Sequence, residues 1–432
     1  MRVLLLGGGG REHALAWKLR QSSEVDELFY SPGADPAPVN AGLASLAEWV
    51  PLDILDPGEV AKWSEARRVD LVVVGPEAPL VADVAGELRR RGITVFGPSM
   101  PGALLEGSKV FAKEFMTRHG IPTARFEIFR EAEAARRHLV SRCAEYPLVV
   151  KADGLASGKG VSICETLEEA LEALDRFMVR RVFGAAGERV IVEERLLGRE
   201  ASFFVVTDGR RAVPLQTCQD YKRLEDGDRG PNTGGMGGFS PSPFLDAAGR
   251  EAVMSRIVEP TLAGLSSDGI SYRGVLYVGL MLTSSGPKVL EFNARFGDPE
   301  TQALMPRFAS DLFPLLLSSA RGELDGVPVR WRDEPSVCVV LASRGYPGAF
   351  DSGWPITGVD RAETREGVAV FHAGTRRSGG GTLVTAGGRV LAVVALGANL
   401  EMARRIAYEA AAEIRFEGRR HRTDIAEIAR PE

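Results

Sequence analysis

The sequence predicts a multidomain protein of mixed α/β and α+β class. Residues 1 to about 100 alternate apolar strand signals with helix signals, the pattern of a parallel α/β sheet. After Arg321-Gly322-Glu323 the pattern changes to short β segments followed by one helix, which predicts a separate α+β unit. At 432 residues the chain also exceeds one ordinary domain.

Val3-Leu4-Leu5-Leu6 reads as a buried strand, followed by four glycines and a helix from His13 to Arg20. Leu28-Phe29-Tyr30 and Leu71-Val72-Val73-Val74 are further strands. Each runs into a turn, Ser31-Pro32-Gly33 and Gly75-Pro76-Glu77, and Thr94-Val95-Phe96-Gly97-Pro98 repeats the arrangement. Glycine turns at the carboxyl ends of parallel strands are where such sheets bind ligands. The next helix spans Ser108 to His119 and is stopped by Gly120 and Pro122.

A small unit follows: strand Leu148–Lys151, a glycine loop, strand Val161–Ile163, a charged helix from Leu167, and strand Val190–Glu193. Strands with polar loops fill 200 to 240. A helix over 247–265, strands over 275–282 and 287–293, and a Leu-rich helix near 312–320 close this region. The last unit has strands at 337–341, 368–371, 382–384 and 389–394 and a helix near 400–414.

Composition excludes several classes. The net charge of −5 argues against a nucleic-acid footprint. Arg89-Arg90-Arg91 and Arg419-Arg420-His421-Arg422 are short runs expected on solvated surfaces, as are His119 and His138 on helix faces. No apolar run reaches membrane-spanning length, and the first residues enter a strand without a signal-peptide layout. Four scattered cysteines, Cys143, Cys164, Cys218 and Cys338, form no C-x-x-C pair. A cytoplasmic, monofunctional protein with no membrane or nucleic-acid partner is expected. Only eight of the 53 basic residues are lysines. A lysine retained in so Arg-rich a chain is expected to need a compact, flexible ammonium. Lys109, Lys151, Lys159 and Lys222 all fall within motifs.

Leu290-Glu291-Phe292-Asn293-Ala294-Arg295 carries the densest chemistry. Alternation along a strand puts Glu291, Asn293 and Arg295 on one face. The carboxylate and amide oxygens suit Mg²⁺, whose shell nucleotide phosphates usually complete, and the guanidinium suits a phosphoryl or carboxylate oxygen. Alone, E-x-N-x-R fits a solvated ion-paired face as well.

The loop Lys151-Ala152-Asp153-Gly154-Leu155-Ala156-Ser157-Gly158-Lys159-Gly160-Val161 joins two strands and offers backbone N–H groups and two ammoniums to phosphate oxygens. It is not a Walker A loop: the glycine spacing is one residue short, Gly160 stands where Ser or Thr is required, and no helix follows. The stretch Glu193-Glu194-Arg195-Leu196 to Glu200 leaves a strand for a turn, where backbone can read an adenine edge and a carboxylate can hold ribose hydroxyls. Gly7 to Gly10 opens onto a helix N-terminus suited to anions. A dinucleotide fingerprint fails there, because Glu12 or His13 takes the last glycine position and no acid ends the second strand.

The order of Lys109, Lys151, the glycine loop, Glu193 to Glu200, Glu291 and Asn293 resembles the ATP-grasp superfamily. Within it, nearly the whole chain resembles the glycinamide ribonucleotide synthetases of purine synthesis. The motifs are Gly7 to Ala14, Gly75 to Leu80, Leu105 to Lys109, Pro231 to Gly237, Phe292 to Gln302 and Phe371 to Thr375. The fold implied is an N-terminal parallel α/β (pre-ATP-grasp) domain over 1–103, a two-lobed ATP-grasp domain over 104–325 with a mobile lid at about 123–195, and a small C-terminal α+β domain over 326–432.

The resemblance also implies a reaction and its residues. Glycine would be ligated to 5-phosphoribosylamine through glycyl phosphate, with ATP as co-substrate and Mg²⁺ or Mn²⁺ as cofactor. Lys109 and Lys151 would bind ATP phosphates, with Ser157, Gly158, Lys159 and Gly160 forming the cover. Glu193, Glu194 and Leu196 would contact adenine, and Glu200 ribose. Glu291 and Asn293 would hold the metal, while Arg295, with Lys151, would act at the transferred phosphoryl group. Gly9, Gly10, Glu77, Pro79, Asp220, Lys222, Asn232, Thr233 and Gly234 would bind the other substrates, and the chain would work as a monomer.

Some residues depart from the family pattern. The strand before Glu291, Tyr277-Val278-Gly279-Leu280-Met281, has no acidic ligand, so Glu291 and Asn293 are expected to carry most of the protein's share of metal binding. Pro32-Gly33-Ala34-Asp35-Pro36 stands where the family continues with Asn-Ala-Gly, and Cys218 where a serine is common. Other ATP-grasp ligases or carboxylase relatives, an oxidoreductase and a non-catalytic nucleotide binder are the competing readings.

Overall fold

The computed structural model describes residues 1–34, 40–141, 146–155 and 159–428. Its first sheet is all parallel, in the order Glu48–Trp49, Glu27–Ser31, Arg2–Leu6, Leu71–Val74, Val95–Phe96. Arg2–Leu6 lies in the middle, and Val3 to Leu6 are fully buried, so the glycines after it emerge at the centre of the sheet's carboxyl edge. Helix Gly10–Leu19 starts there.

Two antiparallel sheets follow. One runs in the order Phe126–Phe129, Val190–Glu194, Leu148–Ala152, Val161–Cys164, with its apolar face on helices Ala132–Ser141 and Leu167–Leu174. The other runs Ala212–Pro214, Arg199–Thr207, Gly274–Thr283, Gly286–Asn293. Helix Lys109–Arg118 has Ser108 as its N-cap, accepting from the Phe111 N–H at 3.0 Å. The helix expected over 247–265 is present with a wide π-helical turn at Met254–Val258, just before Pro260. The missing N–H of Pro260 is tolerated in such a turn.

The last sheet differs from the sequence reading. Its order is Gln219–Asp220, Gly237–Ser240, Ser336–Ala342, Arg389–Leu396, Val368–His372. Its first two strands therefore come from the polar stretch before residue 240. Two- and four-residue strands rich in glycine and polar groups carry no periodicity that names a partner. The three regions also share one core, in which Val3, Phe204, Leu316 and Val340 belong to a single buried cluster.

Several surface expectations fail. Arg422 is 1 % exposed and pairs with Asp228 at 2.8 Å and Asp424 at 2.6 Å. Arg89 turns inward to donate to the Val95 and Gly97 carbonyls. His138 packs on the Phe129 ring and His119 on Phe115, so both are half-buried. Among the described residues no helix is long and apolar enough to cross a membrane.

Candidate active site

A buried chain of charge runs along one wall of the cleft. Glu193, near the end of its strand, forms an ion pair with Lys113 at 2.7 Å and is in contact with Lys151 on the neighbouring strand. Burial alone would push the Glu193 carboxyl up, but Lys151 and Lys113 outweigh it and hold it below the usual carboxylate range. Burial lowers Lys113 to about 8, against the pull of Glu193. Lys113 also donates to Thr123 Oγ1 (2.7 Å), which donates to the Val289 carbonyl (2.7 Å). The strand that carries Glu291 is thereby tied to the nucleotide wall. Lys113 was not a sequence candidate, although it lies four residues after Lys109 on the same helix face.

Lys109 donates to the Gly154 carbonyl at 2.9 Å, and Lys151 to the Leu290 carbonyl at 3.3 Å. Asp153 fixes the start of the glycine loop by accepting from Ser108 Oγ, the Val110 N–H and its neighbour Gly154 N–H. Ser157 and Gly158 lie outside the described residues. At the far end of the loop, the Gly160 carbonyl accepts from the Ala152 N–H, and Lys159 donates to the Pro347 carbonyl at 3.0 Å. Glu194 is turned to Arg125 and Lys288, Leu196 is half-buried, and Glu200 is exposed. The carboxylates of Glu193 and Glu194 are therefore both committed to protein cations, and backbone is what this strand end offers a base.

Glu291 and Asn293 stand opposite Gly279 and Tyr277. The Glu291 carboxylate opens to the cleft, 3.6 Å from the Lys222 ammonium. Lys222 is also 3.4 Å from Glu200 and 3.9 Å from Asp220. Three carboxylates thus surround one cation. Burial works against the Lys222 charge, but Asp220, Glu200 and Glu291 hold it well above its ordinary value. Burial pushes Asp220 up to about 7, opposed by Lys222. Burial also raises Glu291, yet Lys222, Lys151, Lys109 and Arg295 together bring it below the usual range. The strand Gly274–Thr283 has no acid beside Glu291, as expected. The next strand supplies Glu200 opposite Met281. Among the described residues no group of three or more His, Cys, Asp or Glu side chains could hold a metal ion unaided. The hard oxygens of Glu291 and Asn293 still fit Mg²⁺ where phosphates complete the shell.

Arg295 is braced by two carboxylates, Glu106 at 2.8 Å and Glu77 at 3.3 Å, and donates to the Phe296 carbonyl. Burial disfavours the guanidinium, and Glu106 and Glu77 more than compensate, keeping it charged. Glu106 accepts the Ala294 N–H at 2.8 Å as well, so it fixes both the backbone and the side chain here. Pro79 is buried in the short helix Glu77–Val81.

The glycine loop of the first sheet is tightly built. The Gly9 N–H donates to Glu12 at 2.7 Å, Glu12 pairs with Arg11 at 2.6 Å, and a Cβ on Gly10 would lie 2.6 Å from the Gln302 amide. Thr233 donates its hydroxyl to the Lys222 carbonyl and accepts the Gly235 N–H, while Asn232 is half-buried beside it. The Gly234 N–H donates to Tyr346 Oη (2.9 Å) and its carbonyl accepts from Arg389 (2.5 Å). Arg389 also pairs with Asp298 at 3.0 Å. Tyr346 and Arg389 lie more than a hundred residues from Gly234, and nothing in their local sequence marks them. His13 accepts the His372 N–H at its Nδ1 (2.7 Å), joining the first helix to the last sheet.

Comparison with known proteins agrees along the whole chain. Family models for phosphoribosylglycinamide synthetase match in three parts: the N domain at residues 1–106, the ATP-grasp (A) domain at 107–301 and the C domain at 336–428. A phosphoribosylamine–glycine ligase of Agrobacterium fabrum is 49 % identical over 425 residues, 98 % of each chain. One from Caldanaerobacter subterraneus is 45 % identical over 426 residues, 99 % of each. The crystal structure of the Thermotoga maritima phosphoribosylamine–glycine ligase superposes with a TM-score of 0.83 at 38 % identity, covering 98 % of this chain and 100 % of that one. The biotin carboxylase domain of Hydrogenobacter thermophilus 2-oxoglutarate carboxylase shares the fold, with a TM-score of 0.75 at 18 % identity over 97 % of this chain and 91 % of the other.

Proposed function

The chain belongs to the phosphoribosylglycinamide synthetase family, and from that membership we propose how its cleft works. It is an ATP-dependent carbon–nitrogen ligase that joins glycine to 5-phosphoribosylamine in purine biosynthesis, releasing ADP and phosphate. A free carboxylate does not condense with an amine in water, because its oxygen is a poor leaving group. In our reading ATP phosphorylates glycine, and the amine then attacks glycyl phosphate and expels phosphate.

The observation that carries this reading is the gathering of ammoniums at the Glu291 strand: Lys222 stands 3.6 Å from the Glu291 carboxylate, and Lys151 donates to the adjacent Leu290 carbonyl at 3.3 Å. Lys109 and Lys151 bind the ATP phosphates, together with the loop that carries Lys159 and Gly160. The strand end Glu193 to Leu196 meets adenine through its backbone, and Glu200 faces ribose. Glu291 and Asn293 would hold Mg²⁺ or Mn²⁺, which supplies charge neutralisation at the phosphates when bound. Arg295, fixed by Glu106 and Glu77, faces the transferred phosphoryl group and needs no reorganisation to stabilise it. Asp220, Lys222 and the Asn232–Gly234 loop border glycine. Gly9, Gly10, Glu77 and Pro79 border phosphoribosylamine. Positioning and electrostatics account for the catalysis, with no covalent enzyme intermediate.

We divide the chain at 103/104 and 325/326, place it in the cytoplasm, where buried free thiols such as Cys218 and Cys338 stay reduced, and take it to act as a monomer. The test is ADP release with ATP, Mg²⁺ and substrates added singly and together. Turnover is expected only with both glycine and phosphoribosylamine; ADP release without either one would overturn the reading.

A further inference from the structure

We propose that Asn40 is a positioning residue for the phosphoribosylamine loop and that it couples this loop to the last sheet. Asn40 is fully buried. Its Nδ2 lies within hydrogen-bond distance of three carbonyls, Gly8 at 3.1 Å, Gly9 at 3.2 Å and His372 at 2.6 Å, so one of its two N–H groups is shared between the adjacent Gly8 and Gly9 carbonyls. Its Oδ1 accepts from the Gly42 and Leu43 N–H groups, each at 3.1 Å. The amide orientation is self-consistent, since every donor faces an acceptor.

Gly8, Gly9 and Gly10 have no side chains with which to pack, so their peptide planes must be fixed through backbone groups. A trans peptide is planar, with its C=O and the following N–H pointing opposite ways. Holding the Gly8 carbonyl therefore aims the Gly9 N–H, which meets Glu12 at 2.7 Å. Holding the Gly9 carbonyl aims the Gly10 N–H, a first-turn donor that the helix itself cannot satisfy. That N–H is the one a phosphate at the helix N-terminus would use.

The third bond, to His372, adds a partner from the far end of the chain. The His372 N–H donates to His13 Nδ1 three residues beyond Gly10. One residue of the last sheet is thus held both by the loop's brace and by the loop's helix. The inference rests on the reading that the glycine loop takes phosphoribosylamine, and the experiment separates the two.

The full-length variants Asn40→Asp, Asn40→Ser and Gly10→Ala are assayed with each substrate varied in turn, and glycinamide ribonucleotide binding is measured by calorimetry. Asn40→Asp keeps the acceptor for Gly42 and Leu43 but loses the donor. It is expected to raise the phosphoribosylamine KM and weaken the product's binding roughly tenfold or more, with the KM values for ATP and glycine within about twofold of wild type. Asn40→Ser, with one donor left, is expected in between. Gly10→Ala, which crowds Gln302, is expected to act on the same substrate. If Gly10→Ala moves a different substrate's KM, the loop reading fails. If Gly10→Ala moves phosphoribosylamine and the Asn40 variants do not, or if they shift all three substrates alike, the Asn40 role fails. Loss of folding in both Asn40 variants would assign the residue to folding alone and overturn it as well.

Discussion

Arg295 Nη2 and Glu106 Oε1 lie 2.8 Å apart, both largely out of solvent, and Glu106 holds the Ala294 N–H at the same time. Glu106 thereby sets where the Arg295 guanidinium points. Glu106→Gln retains a hydrogen-bond acceptor and removes the charge. The expected result is a fall in kcat of roughly ten- to a hundredfold, with the KM for ATP little changed. Steady-state kinetics check this, and wild-type kcat would remove Glu106 from the mechanism.

Lys113 shares the Glu193 carboxylate with Lys151, and each of the three side chains is at most 8 % exposed. Lys113→Met leaves a buried carboxylate with one cation in place of two. Breaking such a pair costs about 3–5 kcal/mol, so the urea midpoint should drop sharply. A loss below about 1 kcal/mol, the scale of a solvent-screened pair, would mean that solvent reaches Glu193.

His13 and His372 stay neutral in the fold. Burial lowers His13 from 6.5 to about 3 and His372 from 6.5 to about 4. The folded state resists protons that the unfolded chain accepts, so stability falls as pH drops below 6.5 and goes on falling towards 3. For His13 alone, the loss between pH 7 and pH 5 is about 2 kcal/mol at most. His13→Asn keeps an acceptor for the His372 N–H and cannot titrate. Unfolding free energies at both pH values should show a smaller pH dependence in the variant; equal dependence would show that His13 does not contribute.

The Glu291 side chain is open to the cleft. Glu291→Ala is expected to abolish turnover at any Mg²⁺ concentration while leaving Tm nearly unchanged. Retained activity would refute its metal role.

The strand and loop from Leu290 to Glu300 and the glycine loops were legible because their chemistry is local: backbone turns and adjacent side chains spell it out. Glu106 stood inside a recognised motif, yet its task depends on Arg295, far along the chain and in direct contact with it. Tyr346 and Arg389 brace Gly234 from a separate part of the chain, and no periodicity encodes that meeting. Arg422 looked solvated in a run of cations, but Asp228 and Asp424 compensate its burial. The triplet Asn-Ala-Gly, missing after Gly33, stands at Asn40-Ala41-Gly42, where contact with Gly8 and Gly9 gives it a purpose that spacing alone concealed.

The last sheet begins with Gln219–Asp220 and Gly237–Ser240. A truncation near residue 325 would therefore do more than shorten the protein. It would strip Gly237–Ser240 of its neighbour Ser336–Ala342, turning an interior strand into a raw edge of unpaired amides that invites self-association. The same cut would unmoor the hairpin bearing Lys222 and Thr233. The C-terminal part after residue 325 is not a detachable module, and any attempt to swap or express it separately has to carry residues 219–240 with it.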